Sequence, residues 1–150
     1  MKRSSNVKGF TLIELLAVIV ILAVVLVVAI PAVLSSMSTA KEQTLSNTVN
    51  TVTEWFEKEY QASLLGSADA EYEAFAPTTG TGKVLDAATA TAAGINKTSN
   101  FDLTMSKVLI KANGRACIKL VASDSGDFKQ VTNKTVYSSA CTDADKTTLG

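Results

Sequence analysis

The chain has 150 residues, 14 of them basic and 14 acidic, with no histidine and two cysteines. The missing histidine excludes Ser-His-Asp and Cys-His nucleophile systems and any His-ligated metal, and two cysteines are too few for a zinc site built from four thiolates. Zero net charge argues against binding nucleic acid by bulk phosphate neutralisation. The length allows one domain, or one domain with a tail. An apolar fraction of 47% with only 6% aromatics asks for a core of aliphatics, alanine and threonine.

Residues 1–9 carry Lys2, Arg3 and Lys8 and no acid. After Phe10-Thr11-Leu12-Ile13-Glu14 comes an uncharged run of twenty residues, Leu15 to Leu34, in which only Pro31 is a poor apolar filler. At a rise of about 1.5 Å per residue the run reaches about 30 Å, the thickness of a bilayer's hydrocarbon. Basic residues ahead of it hold that end in the cytoplasm, so the chain after residue 34 is expected outside. A secretory signal peptide is the competing reading, with an apolar region of about 7–15 residues and a small-residue cleavage site. Here the run is longer, no Ala-x-Ala stands just beyond it, and no cysteine follows it for lipidation.

Glu14 does not fit a plain anchor. A carboxylate in hydrocarbon costs about 2.5–3.5 kcal/mol on insertion scales, so it is a functional candidate that needs a cationic partner. The bland alternative is that it snorkels to the interface. A cut between Gly9 and Phe10 would supply the cation, since an α-amine has a pKa of about 7.7–8.0. That amine would lie about one helical turn from Glu14, on its own chain or a neighbouring one. Pro31 lacks an N–H and clashes with the carbonyl of Val27, so a bend or melted stretch is expected near Val27–Pro31.

Lys8-Gly9-Phe10-Thr11-Leu12-Ile13-Glu14-Leu15-Leu16, with the apolar run and Pro31 behind it, resembles the class III signal of type IV pilins and type II secretion pseudopilins. The resemblance covers about the first 55 residues. It implies removal of residues 1–9 by a prepilin peptidase cutting after Gly9, and N-methylation of Phe10. It implies that Glu14 pairs with a neighbour's amine and sets the register of assembly. The implied partners are other copies of the chain, the peptidase/methyltransferase, an inner-membrane assembly platform with its ATPase, and membrane lipid before assembly. The implied route runs from a single-pass precursor in the cytoplasmic membrane to a cell-surface filament. Loss of residues 1–9 leaves 11 basic against 14 acidic residues, a net charge of −3.

Past Leu34 the chain turns polar but keeps helical spacing. Met37, Ala40, Leu45, Val49, Val52, Phe56, Tyr60 and Leu64 recur mostly at three- and four-residue steps, with Trp55 beside them. Ordinary core packing explains this stripe, and no cofactor is implied. Gly66 suits the position after a helix C-terminus. The reading is one helix from Phe10 to about Leu65. Residues 10–34 are its membrane or fibre-core segment, and 35–65 its amphipathic half under a head of residues 66–150.

In that head, Pro77 to Gly82 is loop chemistry, and Asp86 to Ala93 closed by Gly94 suggests a short helix. Gly80-x-Gly82-Lys83 is not a phosphate loop, because Pro77 and Val84 stand where glycine and Ser/Thr are needed. Val108 to Ala112, then Asn113-Gly114, then Arg115 to Ala122 reads as a hairpin. Ser123 to Asp127 reads as a turn, and Phe128–Val131 and Thr135–Ser138 as further strands. The expected fold is α+β, a long helix packed on a small antiparallel meander of three or four strands.

An oxidising compartment would join Cys117 and Cys141, stabilising the head by about 3.5 kcal/mol in the chain-entropy picture, with two free thiols as the alternative. Asp124, Asp127, Asp143 and Asp145 lack the EF-hand pattern. Asn96-Lys97-Thr98 and Asn133-Lys134-Thr135 match the glycosylation sequon, a pattern that also arises by chance. Lys107, Lys111, Arg115 and Lys119 are candidates for a local basic patch, and a nucleic-acid partner is left open.

Three function classes follow. The first is a structural filament subunit, read as a major pilin used for adhesion, motility or DNA uptake, with a pseudopilin or a minor or competence pilin as its close alternative. The second is a singly anchored binding module that keeps its leader and never polymerises. The third is an extracytoplasmic enzyme, whose only nameable groups are carboxylates among Glu71, Glu73 and Asp102.

Overall fold

The structure is a computed structural model that describes residues 9–75 and 79–150; residues 1–8 of the leader and 76–78, with them the start of the loop expected at Pro77, lie outside them. The chain divides at Met37/Ser38 into two compact units.

Helix α1 is assigned over Leu12–Ser63. Its portion in the first unit exposes its apolar side chains all round, from Leu12 and Ile13 to Val33 and Leu34. The helix passes Pro31 unbroken, so no melted stretch is found at Val27–Pro31. Pro31 removes one hydrogen bond at Val27, but no glycine lies between Phe10 and Leu34 to widen the break. A bend is compatible with an unbroken helix. Ser36 Oγ donates to the carbonyl of Ala32 at 3.1 Å.

In the second unit α1 buries Leu45, Val49, Val52 and Phe56. The outer members of the expected stripe, Met37, Ala40 and Leu64, stay exposed, and Tyr60 is half-buried. The helix ends in a Schellman motif. Gly66 takes φ +69°, Ser67 N–H donates to the carbonyl of Ala62 at 3.0 Å, and Gly66 N–H donates to that of Ser63 at 3.1 Å.

The head adds α2 (Ala70–Phe75), β1 (Lys83–Val84), α3 (Ala87–Ala92), β2 (Lys107–Ile110), β3 (Ala116–Val121), β4 (Thr135–Tyr137) and α4 (Asp143–Leu149). The four strands form one antiparallel sheet in the order β1-β2-β3-β4. Val108 faces Ile118 and Leu109 faces Cys117 across β2 and β3, and Leu120 faces Val136 across β3 and β4. Strand alternation therefore makes two faces. Val108, Ile110, Ala116, Ile118 and Leu120 share the main core with α1, joined by an aromatic cluster of Phe56, Tyr72 and Phe75. Leu109 and Cys117 face the other way, where Leu149 of α4 covers them.

Two local expectations change, and one element is new. Phe128–Val131 is a turn rather than a strand, with Val131 N–H donating to the carbonyl of Phe128 at 2.9 Å. Both residues are buried, and their three-residue spacing suits a turn where strand alternation would need two. The fourth strand is instead β1, a two-residue edge. The tail past Cys141 is helical, because Thr142 and Asp145 build a capping box. The Ala-rich helix forms within its expected span, with Asp86 Oδ1 accepting from Thr89 N–H at 2.9 Å.

Candidate functional site

The candidate site is the N-terminal tip of α1. Gly9 and Phe10 lie ahead of the helix, and Phe10 is 91% exposed. A groove there is lined by Phe10, Glu14, Leu15, Ala17 and Val18, so the apolar ring and the carboxylate share one surface.

Glu14 is not left unsatisfied. Its Oε2 accepts from both the backbone N–H and the hydroxyl of Thr11, each at 2.8 Å. Thr11 Oγ1 in turn accepts from Glu14 N–H at 3.3 Å. This reciprocal arrangement is a capping box, with Thr11 at the N-cap and Glu14 at the third helical position. It satisfies donors that the first turn would otherwise leave open, and it places a carboxylate at the positive end of the helix dipole. Oε1 takes no hydrogen bond among the described residues. Thr11, which is not among the residues expected at the site from sequence, is what holds Glu14. The signal was present, since Thr-x-x-Glu ahead of an apolar run is a capping-box signature.

Chemically the tip can bind a cation at the free oxygen and bury an aromatic ring against a neighbouring apolar helix. Gly9 meets nothing within 4 Å of where a Cβ would lie, and the Gly9–Phe10 bond lies in non-helical backbone. A protease needs such an extended, accessible segment. Among the described residues one helix, α1, is long and apolar enough to cross a membrane.

The head groups singled out by sequence go elsewhere. Cys117 and Cys141 form a disulfide that ties β3 to the segment leading into α4. Of the candidate basic patch, Lys107 and Lys119 stand opposite each other across β2 and β3, while Lys111 and Arg115 turn to acidic partners. Lys119 is only 5% exposed and bonds the carbonyl of Gly150. Lys111 pairs with Asp145, and Arg115 reaches Glu57 at 3.5 Å.

Each of the four aspartates considered for calcium faces a lysine: Asp124–Lys134, Asp127–Lys97, Asp143–Lys146 and Asp145–Lys111. No cluster of three or more potential metal ligands occurs among the described residues. The carboxylates named for an enzyme are not brought together. Asp102 accepts from the Thr104 hydroxyl at 2.6 Å, which with neighbouring backbone N–H groups holds its carboxyl below the usual range, and Glu71 lines a different groove beside Asp86. Lys83 bonds the carbonyl of Phe75 and sits 4.5 Å over its ring, so it does not serve a phosphate loop.

The family model for the prokaryotic N-terminal methylation motif matches residues 4–30. This is the class III signal of type IV pilins and pseudopilins, and it covers the tip and most of the apolar run. It points to a structural subunit rather than an enzyme. Comparison with curated proteins and with solved structures returns no match.

Proposed function

We propose that this chain is the major subunit of a type IV pilus-like filament, anchored first in the cytoplasmic membrane and assembled after its leader is cut between Gly9 and Phe10. The observation that carries the reading is the methylation motif, which runs into the first part of α1, where the apolar residues are exposed on every side. Such a surface needs lipid or sister helices around it. Lipid solvates it in the precursor, and copies of itself bury it in the fibre, so the exchange changes hydrophobic energy little.

Charge then sets the register. With Oε2 held by Thr11, the other oxygen of Glu14 meets the amine of a neighbour's Phe10, and an offset that leaves either charge unpaired in a dry fibre is penalised. The disulfide-stapled head lies outside the cytoplasm on this reading, where oxidation is favoured. The peptidase, its methyltransferase activity, the assembly platform and the ATPase belong to the same proposal.

The test is mass spectrometry of sheared surface filaments. A subunit beginning at N-methylated Phe10 supports the proposal. A membrane-bound chain that retains its leader and forms no fibre would show a non-polymerising anchored module instead. Gly9→Glu should leave the leader in place.

A further inference from the structure

Asn96-Lys97-Thr98 and Asn133-Lys134-Thr135 are one tripeptide occurring twice, and the fold brings both copies to one turn. Lys97 Nζ lies 2.9 Å from Asp127 Oδ2, while Lys134 pairs with Asp124. The two lysines thus hold opposite ends of Asp124-Ser125-Gly126-Asp127. Asn100 holds the turn as well, donating to Asp127 Oδ2 and accepting from Asp127 N–H, each at 3.0 Å. Gly126 is required there, since a Cβ would lie 2.6 Å from Asn100 Cα.

The asparagines of the head fall into two kinds. Asn100 and Asn113 spend their side chains on holding loops, the second accepting from Arg115 N–H at 3.2 Å, and neither begins an Asn-x-Ser/Thr sequence. Asn96 and Asn133 do begin one, and both are exposed outside helix and strand. Among the described residues their side-chain amides make no hydrogen bond, nor do the hydroxyls of Thr98 and Thr135. Each tripeptide is therefore anchored by its middle lysine, with its outer two side chains unused. Thr98 and Lys134 also line a single open groove, with Ser99, Ser123 and Ser125 as hydroxyls and Phe101 as an apolar wall. Hydroxyls around an apolar surface match a sugar ring, which has polar edges and CH faces.

We propose that Asn96 and Asn133 are acceptors for an N-linked glycan, and that the groove lined by Thr98 and Lys134 seats its first sugars. The proposal rests on the extracytoplasmic head of the reading above. The donor would be an oligosaccharide whose anomeric carbon is bonded to a lipid diphosphate, acted on by a membrane transferase. The Asn Nδ2–C1 bond forms as the C1–O bond to the diphosphate breaks. The lipid diphosphate leaves, and the amide nitrogen gives one proton to a base of the transferase. No electrons are transferred.

Peptide mass spectrometry of the full chain from its native cell tests this. Peptides containing Asn96 and Asn133 should both carry a hexose- or N-acetylhexosamine-containing mass. Asn96→Gln or Thr98→Ala should abolish the first, and Asn133→Gln or Thr135→Ala the second, while Lys97→Arg leaves both. An intact Cys117–Cys141 peptide in each variant shows that the head has folded. Unmodified asparagines at both positions, or sugar confined to serine and threonine, would overturn the proposal. The same digest reports the chain's N-terminus. A start at Phe10 with both asparagines bare sinks the glycan and leaves the filament reading standing. A start at Met1 with both asparagines glycosylated supports the glycan and counts against cleavage.

Discussion

Lys111 Nζ lies 2.7 Å from Asp145 Oδ2, joining the end of the β2–β3 hairpin to the first turn of α4. The same oxygen accepts from the N–H and hydroxyl of Thr142, each at 2.7 Å. These donors, Lys111 first, hold the Asp145 carboxyl at about 2, below its ordinary value of 3.8. A carboxyl depressed on folding contributes stability above its unfolded pKa and loses it as pH falls toward the folded one. Urea unfolding measured from pH 6 to pH 2 should therefore weaken between about pH 4 and pH 2. Asp145→Asn should flatten part of that slope. Asp102 and Asp127, also depressed, should retain the rest. Equal slopes for the two proteins would show that the Lys111 contact does not act in solution.

The second face of the sheet depends on few groups. Leu149 is fully buried against Leu109 and Cys117, with the disulfide beside it. Leu149→Ala should destabilise the head by about 2–5 kcal/mol. Removing the disulfide with Cys117→Ala and Cys141→Ala should cost about 3.5 kcal/mol, less any residual order in the unfolded chain. Denaturant midpoints of the full chain in detergent measure both. The Leu149 loss should shrink in the cysteine-free background, because the two features anchor the same helix.

At the Asp124–Asp127 turn, Gly126→Ala should destabilise by about 1–3 kcal/mol through overpacking against Asn100. Amide exchange should rise first at Asp127 and Ser123, whose N–H groups bond to Asn100. Unchanged protection there would mean that the backbone relaxes freely.

At the tip, Thr11→Ala removes both the side-chain donor to Glu14 Oε2 and the N-cap acceptor, for a loss of about 0.5–2 kcal/mol of local helix stability. Glu14→Ala should insert and be processed, yet give little filament. The measurements are leader cleavage by mass and fibre yield after shearing. Normal yield from Glu14→Ala would remove the register role.

Much of this architecture is local in origin. The apolar run, the helical spacing of Leu45, Val49, Val52 and Phe56, and the Asn113-Gly114 hairpin each depend on residues within a few turns of one another. In that hairpin, Gly114 takes φ +79° and its N–H donates to the carbonyl of Lys111. Phe128–Val131 misleads because two apolar residues in a short segment satisfy a strand and a turn alike. α4 is easily overlooked because Thr142 and Asp145 look like an ordinary polar tail unless the capping box is recognised.

Contiguous residues are enough to specify a greasy N-terminal rod, a carboxylate near its tip and a processing signal ahead of it, because length, hydropathy and short spacings are read along the chain. Three-dimensional packing is what commits Lys97, Lys111 and Lys134 to aspartates, Lys119 to a carbonyl, and Arg115 to Glu57. Packing also closes the far face of the sheet with α4 and brings two identical tripeptides to one turn. Those pairings join residues roughly 10 to 60 positions apart, and a charge has no local period that would reveal its partner.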